Sequence, residues 1–356
     1  MNAALLLSGG VDSSVALVRL QEAGARVTAF YLKVWLEEEL AGLGDCPWQE
    51  DLEYAREVCD QRGVALHVVS VQRDYLESVL DYVVQELRAG NTPSPDLMCN
   101  RHIKFGVFAD RYADGFDVIA TGHYARITQT IDGPRLLTAP DPVKDQTYFL
   151  AYVNALHLER AVFPIGDSSK TRIRSEARAN NLPTRSRPDS QGICFLGRIS
   201  YREFVRRRLG VIPGVIVERE SGRVIGEHPG HYFFTVGQRQ GIGLGDGPWY
   251  VVDKDAVDNQ ITVSRTPEDY LRRTFAVSSA NWINGSRIGP VGKSLQVQVK
   301  VRHGSELHQC RLERTIVPGQ AVVHAESALT VAAGQFAVLY DEDECLGGGV
   351  IKPLPS

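Results

Sequence analysis

Residues 6–13, Leu-Leu-Ser-Gly-Gly-Val-Asp-Ser, combine a glycine-rich turn with hydroxyl groups and one carboxylate. The two glycines permit a tight turn, and a helix that begins here would present its free N–H groups and the serine hydroxyls to an anion. Asp12 itself would repel a phosphate, but a carboxylate beside a phosphate commonly holds Mg²⁺. The stretch therefore predicts a phosphate-binding loop. The alternative is an ordinary helix start, with an aspartate or serine as the N-cap.

Cys99 lies in GNTPSPDLMCNRHIKFG (residues 90–106), where two prolines predict a loop that runs into a helix. Three basic residues follow within five positions, and both a helix start and cationic neighbours lower the pKa of a thiol. Asp96, three residues earlier, is placed to act as a general acid or base. This pattern predicts a reactive thiol at Cys99. The alternative is a buried, inert cysteine.

Cys194 follows a glycine in PDSQGICFLG (residues 188–197), although Ile-Cys-Phe would equally suit a buried strand. Two loop cysteines in a chain with a phosphate loop suggest sulfur chemistry, in which one thiol carries a persulfide and the other resolves it. The settings of three further cysteines predict packing roles: Cys59, Cys310 and Cys345. Cys46 has no basic partner nearby and receives no role.

Strand-like and helix-like segments alternate through the first 125 residues. Apolar runs at 3–7, 27–34, 64–71 and 116–120 predict strands, and periodic segments at 13–23, 51–62 and 74–89 predict helices. Alternation at this spacing, with strands that are apolar throughout, predicts a parallel, doubly wound α/β sheet covered on both faces. Ligands bind such sheets at the carboxyl ends of the strands, which is where residues 6–13 would lie.

The sequence after about residue 200 is predicted to be β-rich. Segments 215–218 and 223–227 predict a hairpin, residues 237–247 are too glycine-rich for regular structure, and strands are predicted at 295–302, 321–324, 328–331 and 336–340. The fold class is therefore α/β, with a doubly wound parallel-sheet domain (1–200) followed by a small β-rich central domain (201–268) and a C-terminal β-barrel (269–356).

Composition limits the classes of protein and partner. The 356 residues carry a net charge of −4, six cysteines without a CxxC pair, and no apolar run of membrane-spanning length. We therefore expect no membrane partner, no protein-built metal site and, because no signal peptide is visible, a reduced cytoplasmic location. Residues 170–208 hold eleven Lys or Arg against three acids. This local excess suggests a polyanionic partner, and a solvated helical face is the alternative.

The loop at residues 6–13 lacks the lysine of G-x-x-x-x-G-K-[ST] and resembles the SGGxDS loop of the ATP pyrophosphatases. That resemblance implies cleavage of ATP between its α and β phosphates, with pyrophosphate leaving. The chain as a whole is similar to the tRNA-specific 2-thiouridylases. The matching stretches, in family order to about residue 255, are SGGVDSSV, NTPSPDLMCNRHIKFG, ATGHYAR, KDQTYFL, DSQGICFLG, TVGQRQGIGLG and WYVVDKD.

This resemblance implies ATP-dependent 2-thiolation of the wobble uridine of tRNA, with release of AMP and pyrophosphate. The implied cofactors are ATP and Mg²⁺. The implied partners are the anticodon arms of tRNAs for Lys, Glu and Gln, and a persulfide donor such as a cysteine desulfurase or a sulfur relay protein. Binding to tRNA would weaken steeply with salt.

The resemblance also implies roles for individual residues. The ATP ligands would be Leu6, Leu7, Ser8, Gly9, Gly10, Val11, Asp12, Ser13, Leu32 and Gly122. The tRNA contacts would be Ser94, Pro95, Asp96, His123, Lys144, Asp145, Gln146, Arg302, His303 and Gln335. Asp96 would be the acid or base, Cys99 the nucleophile that assists sulfur release, and Cys194 the persulfide carrier, and the two thiols could form a catalytic disulfide. The sequence departs from the family at Ser94, where asparagine is common, and at Leu6-Leu7, where Gly-Met is common.

Two other classes stay open. An amidating ATP pyrophosphatase that uses ammonia or an amine would need neither Cys99 nor Cys194. A non-catalytic tRNA-binding protein with a decayed nucleotide fold would not need an intact loop at residues 6–13.

Overall fold

The computed structural model describes residues 1–34, 48–189, 200–352 and 354. Cys46 and Cys194 lie outside these described residues, so the predicted persulfide carrier has no structural account here.

Helices of the described residues lie mainly in the first 210 positions. They are α1 (Val11–Glu22), α2 (Trp48–Arg62), α3 (Gln72–Tyr75), α4 (Asp81–Arg88), α5 (Pro95–Met98), α6 (Phe108–Tyr112), α7 (Thr147–Leu150), α8 (Ala155–Leu158), α9 (Lys170–Ala179) and α10 (Tyr201–Leu209). π-Helical segments at Leu76–Leu80 and Cys99–Val107 join α3 to α4 and α5 to α6. Short 3₁₀ turns occur at Pro183–Ser186, His231–Phe233, Pro267–Tyr270 and Gly285–Ile288.

The strands of the same N-terminal region form a parallel sheet and a separate hairpin. They are β1 (Asn2–Leu6), β2 (Arg26–Lys33), β3 (Leu66–Ser70), β4 (Val118–Thr121), β5 (Ala125–Thr130), β6 (Gly133–Thr138) and β7 (Ala161–Val162). The sheet order is β3-β2-β1-β4-β7, with every pair parallel. The hairpin β5–β6 lies outside this sheet.

The central strand β1 is buried on both faces because its apolar side chains alternate. Ala4 and Leu6 enter one hydrophobic cluster, and Leu5 and Leu7 enter the other. Side chains from the α3–α6 run fill the first cluster, and those from α1, α2 and α9 fill the second. The predicted doubly wound arrangement is therefore confirmed. The expectation that every strand is covered on both faces is wrong for β3, which lies at the sheet edge and exposes Val68.

Two β-structures follow in the chain. A four-stranded sheet, in the order β10-β11-β8-β9, contains β8 (Gly214–Glu218), β9 (Val224–His228), β10 (Tyr250–Asp255) and β11 (Gln260–Ser264). A barrel, in the order β12-β15-β14-β13-β16-β17, contains β12 (Leu271–Trp282), β13 (Ser294–Lys300), β14 (His308–Arg314), β15 (Ala321–Thr330), β16 (Phe336–Asp341) and β17 (Glu344–Lys352). Pairing of β12 with β17 closes the barrel. The predicted fold class is thus confirmed, including the β8–β9 hairpin.

The segments 321–324 and 328–331, predicted as separate strands, form the single strand β15. An irregularity in its pairing with β12 lies opposite the polar residues that break the apolar pattern. The strand is continuous, but the polar residues at its bend interrupt the apolar pattern. In the sequence, this interruption resembles a break between two strands.

The hairpin β5–β6 connects the N-terminal region to the C-terminal barrel. Hydrophobic periodicity in the sequence does not predict this contact. β6 pairs with β17 at Leu137↔Glu344 and Leu136↔Cys345, so the hairpin extends the barrel sheet. Arg135 reinforces this contact, because its guanidinium lies 2.7 Å from the buried Glu344 carboxylate. The barrel is thereby attached directly to the N-terminal domain, beside the predicted site.

The three cysteines predicted to pack do so. Cys59, Cys310 and Cys345 are buried, and burial raises the pKa of Cys59 to about 11 and those of Cys310 and Cys345 to about 12. Such thiols are poor nucleophiles at neutral pH. No helix among the described residues is both long and apolar enough to cross a membrane.

Candidate active site

The glycine-rich loop leaves β1 at its carboxyl end and opens α1, as predicted. The N-cap of α1 is Gly10, and no side chain caps it. The alternative of an aspartate or serine N-cap is therefore wrong. The hydroxyls of Ser13 and Ser14 donate to the Gly10 carbonyl at 3.2 and 2.8 Å, which braces the turn from within. The free N–H groups at the helix start border the loop, where they could donate hydrogen bonds to an anion.

The loop lies where the strand order of the sheet reverses, between β1 and β4. A Cβ at Gly122, just after β4, would lie 2.7 Å from the Ser13 nitrogen, so only glycine allows the two loops to approach this closely. Gly9 has a φ of +73°, and a Cβ there would meet the Asp51 carbonyl oxygen at 2.1 Å. Leu32 lies near the end of β2, on the other side of β1. Three adjacent strands thus bring the predicted ATP-binding residues together.

The two leucines that precede the loop point away from it. Leu6 and Leu7 are buried in opposite hydrophobic clusters. Any contact of these two residues with a nucleotide would therefore use their backbone atoms.

Arg187 supports the loop from outside, and the sequence analysis did not single it out. Its guanidinium donates to the Gly9 carbonyl at 2.7 Å and to Asp51 at 2.6 Å, and it stacks on the Tyr54 ring at 4.4 Å. Burial raises the pKa of Asp51, although Arg187 opposes this shift. In the sequence, Arg187 is one of eleven similar cations, and no signal distinguishes it.

A group of charged side chains beside the loop forms ion pairs that the sequence analysis did not predict. We call it the Asp12 cluster, and it consists of Asp12, Lys144, Lys170, Arg174 and Asp189. Lys170 Nζ lies 2.8 and 2.9 Å from the two Asp12 oxygens and 2.8 Å from Asp189. Lys144 and Arg174 also bind Asp189, at 2.7 and 2.5 Å. Burial opposes ionisation of Asp189, but hydrogen bonds from Lys144 and Lys170 outweigh it and hold its pKa well below the usual range.

Tyr124, which follows the ATGH stretch, completes the contacts of Asp12. Its hydroxyl donates to Asp12 at 2.7 Å, and burial together with the Asp12 charge raises the pKa of the phenol well above its usual value. Tyr124 therefore remains a neutral hydrogen-bond donor.

The basic stretch 170–208 is less of a free positive surface than its composition suggests. Six of its cations form ion pairs with acids of the described residues: Lys170, Arg172, Arg174, Arg187, Arg206 and Arg207. Two of those acids, Asp12 and Asp51, lie far away in the sequence. Part of the local excess therefore serves to hold the loop and its surroundings together.

Cys99 lies one turn inside a helical run that begins at Pro95, and it is 4% exposed. It opens the π-helical segment Cys99–Val107, and irregular turns of this kind are frequent at functional sites. A Cβ at Gly106 would lie 2.8 Å from the Arg101 carbonyl oxygen, so the glycine permits the wide turn.

The predicted cationic neighbours of Cys99 have separate roles. Arg101 donates to the Tyr152 carbonyl at 3.0 Å and stacks on its ring. Burial lowers the pKa of His102, which favours its neutral form. Lys104 makes a separate contribution, to the pKa values of Asp96 and His123.

Lys104 also connects the Asp96–Cys99 segment to the loop after β4. Burial raises the pKa of Asp96, whereas the charges of Lys104 and His303 oppose that shift. Burial lowers the pKa of His123 well below its usual value, and Lys104 adds to that effect. His123 is buried and lies 2.6 Å from the Thr121 hydroxyl. A carboxyl group that is easily protonated, an ammonium group and a neutral imidazole therefore share one neighbourhood.

The barrel contributes a second wall. His303 stacks on Phe149 of α7 with ring centroids 4.4 Å apart, and residues 301–306 and 308 line a cleft of about 620 Å³. Near Gln335, the Ala333 carbonyl accepts a hydrogen bond from the Thr92 N–H at 2.8 Å, which places the loop before Ser94 against the barrel. Predicted tRNA contacts from both ends of the chain thus lie near one another.

Two side chains of the Lys144–Gln146 turn, those of Asp145 and Gln146, form hydrogen bonds within the protein. Asp145 is 3% exposed, and its carboxylate accepts hydrogen bonds from Thr147 and from Lys300 of β13. The Gln146 side-chain oxygen accepts from the Tyr124 N–H at 2.9 Å. The predicted tRNA contacts of these residues stay predictions, and the Asp145 carboxylate is directed into the protein.

The described residues fit a nucleotide and the metal that would accompany it. No group of three or more His, Cys, Asp or Glu residues within 1–34, 48–189, 200–352 and 354 could hold an ion. Asp12, next to the uncapped start of α1, is the carboxylate that would face Mg²⁺ brought by phosphates. Together, the phosphate loop at the reversal point of the sheet and the two β-domains define an ATP pyrophosphatase-type enzyme fold.

Comparisons with known proteins identify the family. Three family models match in succession: a tRNA methyl transferase HUP domain over residues 1–198, a tRNA methyl transferase PRC-barrel domain over 202–265, and an aminomethyltransferase beta-barrel domain over 272–351. The tRNA-specific 2-thiouridylase MnmA of Parabacteroides distasonis is 42% identical over 356 residues, covering 99% of both chains. The enzyme of the same name from Porphyromonas gingivalis is 43% identical over 360 residues, again covering 99% of both chains.

The chain therefore belongs to the tRNA-specific 2-thiouridylase family, as its motifs indicated. The chain is also similar to a solved structure at lower sequence identity. The U34-tRNA thiolase NcsA from Methanococcus maripaludis is 18% identical and has a TM-score of 0.35, covering 54% of this chain and 61% of that one. The family assignment rests on the full-length relatives.

Proposed function

We propose that this chain catalyses the ATP-dependent 2-thiolation of the wobble uridine of tRNA, with release of AMP and pyrophosphate. The observation that carries this proposal is the shared neighbourhood of the phosphate loop and the Asp96–Cys99 segment. Gly122 contacts the loop, His123 follows it, and Lys104 acts electrostatically on both His123 and Asp96. Membership of the 2-thiouridylase family supports the same reaction.

In the first step, the loop would hold the phosphates of ATP while O2 of a flipped-out uridine attacks the α-phosphate. A bond forms between O2 and the α-phosphorus, and the bond to the bridging oxygen breaks, with its electron pair leaving on pyrophosphate. The uridine N3 proton must be lost, and Asp96 is the candidate acceptor. Mg²⁺ that accompanies the nucleotide would neutralise phosphate charge when bound.

In the second step, the terminal sulfur of a Cys194 persulfide would attack C2, and AMP would leave. The Cys99 thiolate would then attack the Cys194 sulfur, so that the S–S bond breaks and its electron pair stays on the sulfur bound to C2. The products are 2-thiouridine and a Cys99–Cys194 disulfide, which a thiol reductant must reduce before the next cycle.

The finer assignments complete the proposal. The proposed domains are residues 1–200, 201–268 and 269–356, and the succession of family-model matches supports them. The partners would be the anticodon arms of tRNAs for Lys, Glu and Gln and a persulfide donor, in a reducing cytoplasm. Arg302, His303 and Gln335 of the barrel, with Ser94, Pro95 and His123, would contact the tRNA.

Reconstitution tests the proposal. The full-length chain with unmodified tRNA, ATP, Mg²⁺ and a persulfide donor is expected to yield thiolated tRNA, AMP and pyrophosphate in equal amounts. Cys194→Ser should abolish thiolation. Full thiolation by this variant would refute the role of the sulfur carrier, and ammonia-dependent AMP formation without tRNA would instead support an amidating enzyme.

Asp96 should give the reaction an acid limb in its pH profile. Because burial raises the pKa of Asp96, its basic form is lost at a higher pH than that of an ordinary carboxylate. The rate of adenylation should therefore fall as the pH decreases through this raised pKa. Asp96→Asn should lower the single-turnover rate by about 10²–10⁴-fold and remove the limb. The exposed Asp81→Asn is the control, and an unchanged limb in Asp96→Asn would contradict the assignment.

A further inference from the structure

The phosphate loop contains no lysine, but the fold places the side chain of Lys170 against Asp12 of the loop. Lys170 is the first residue of α9, and its side chain is 13% exposed. Its ammonium group contacts both oxygens of Asp12, at 2.8 and 2.9 Å, across a separation of 158 positions in the chain. Asp12 lies two residues after Gly10, the uncapped N-cap of α1. The Asp12 carboxylate therefore links the Lys170 ammonium group to the start of α1, whose N–H groups would bind phosphate.

Two carboxylates and the start of α9 hold this ammonium group beside the loop. Asp189 lies 2.8 Å from Nζ, and the backbone N–H of Lys170 donates to the Asp141 carboxylate at 3.2 Å. The two carboxylates position the ammonium group, and the backbone bond to Asp141 fixes the start of α9. A cation held in this way can exchange a carboxylate for a phosphate oxygen with a small movement of its flexible stem.

We propose that Lys170 is the phosphate-binding cation of this enzyme and that it contacts the pyrophosphate that leaves during adenylation. This inference rests on the proposed function. As the bond between the α-phosphorus and the bridging oxygen breaks, negative charge accumulates on pyrophosphate. Lys170 keeps its proton and donates hydrogen bonds to the pyrophosphate oxygens, so it stabilises the leaving group without transferring a proton.

Lys170 is not needed to hold α9 against α1, because another cluster does so. Arg19 of α1 binds Glu176 of α9 through two hydrogen bonds, at 2.9 and 2.7 Å, and it also binds Asp167 at 2.7 Å. Removal of the Lys170 ammonium therefore leaves the helix contact in place. A loss of function in such a variant would then report on the phosphate site.

The test compares Lys170→Met and Lys170→Arg with the matched control Arg172→Met. Arg172 lies on the same helix, is 66% exposed at its side chain and pairs only with Glu176 among the contacts described. Titration calorimetry of the full-length protein with magnesium pyrophosphate, and separately with AMP, measures the site without requiring turnover. Single-turnover formation of adenylated tRNA then measures the chemical step.

Lys170→Met should weaken pyrophosphate binding at least about tenfold and slow adenylation by about 10²–10³-fold, while AMP binding changes little. Lys170→Arg should recover most of the pyrophosphate affinity because it restores the charge, and Arg172→Met should resemble the wild type. Wild-type pyrophosphate affinity in Lys170→Met would overturn the proposal, and so would an equal loss for AMP and pyrophosphate, which would indicate a general effect on the loop. If Lys170→Met does not fold, as judged by circular dichroism, Lys170→Gln takes its place.

Failure of the proposed function gives a different result. A wild-type chain that binds pyrophosphate but does not thiolate tRNA would refute thiolation, and the comparison of the Lys170 variants in pyrophosphate binding would still decide the role of this residue.

Discussion

Cys99→Ser should lower the rate of tRNA thiolation by about 10³-fold or more while leaving pyrophosphate formation intact. Adenylation requires no thiol, so the first step should proceed. Attack by the Cys194 persulfide should also proceed and release AMP. Without the Cys99 thiolate, however, the bond between the two sulfurs cannot break. The variant should therefore accumulate a covalent protein–tRNA adduct that an added thiol releases.

The measurement is a single turnover without reductant, followed by non-reducing and reducing gels of labelled tRNA. Cys59→Ser is the matched control, because Cys59, like Cys99, is a buried cysteine in a helical segment. Burial raises the pKa of the Cys59 thiol to about 11. Each variant places a hydroxyl group in a buried site and should lose a similar amount of stability, about 1–3 kcal/mol. Cys59→Ser should thiolate at nearly the wild-type rate. Wild-type thiolation by Cys99→Ser, or the same adduct from both variants, would contradict the role of Cys99.

The position of the phosphate loop was predictable because it depends on local and periodic features. The alternating apolar residues of β1 fill both hydrophobic clusters, and this burial fixes the strand at the centre of the sheet. The doubly wound order then requires the loops after β1 and β4 to meet. Gly122 and Gly9 lie where contact with a neighbouring backbone excludes a Cβ. The glycines of these two loops therefore permit the close approach that the sheet order requires.

The electrostatic support of the site was not predictable, because it depends on pairs that are distant in the sequence. Lys170 meets Asp12 across 158 positions, and Arg187 meets Gly9 across 178. In the sequence, both belong to a basic stretch with eleven Lys or Arg residues. A count of charges assumes that all eleven side chains lie on the surface. The tertiary fold selects which cations are used internally. For the same reason, the count overestimated the positive surface available to a polyanion.

Asp145 illustrates the same limit in a predicted tRNA contact. Its sequence setting is polar and favours a surface turn, yet the barrel covers it and supplies Lys300 from β13 at 3.2 Å. Both side chains are almost fully buried, at 2% and 4% exposure. Lys300 also lies 5.1 Å above the Tyr340 ring. The pair therefore connects the N-terminal domain to the barrel at the edge of the candidate site.

Lys300→Met should accordingly lower the free energy of unfolding by about 3–5 kcal/mol, because it leaves the Asp145 carboxylate buried without a counter-charge. Asp145→Asn combined with Lys300→Met removes both charges and keeps similar shapes, so the double variant should be more stable than Lys300→Met alone. The exposed Lys293→Met should change stability by less than about 0.5 kcal/mol. Urea unfolding of the full-length variants measures these differences, and a cost for Lys300→Met as small as that of Lys293→Met would refute the buried pair.

The double variant also separates the two roles of Asp145. If this residue acts as an interdomain contact, a folded double variant should bind tRNA with nearly wild-type affinity, because the turn that carries Lys144 and Gln146 would remain in place. If its carboxylate must reach the tRNA, affinity should fall even though the fold is retained. The buried position of Asp145 and its bonds to Thr147 and Lys300 favour the first outcome. The barrel would then assist catalysis by holding His303 against Phe149, through an ion pair that does not itself touch the substrate.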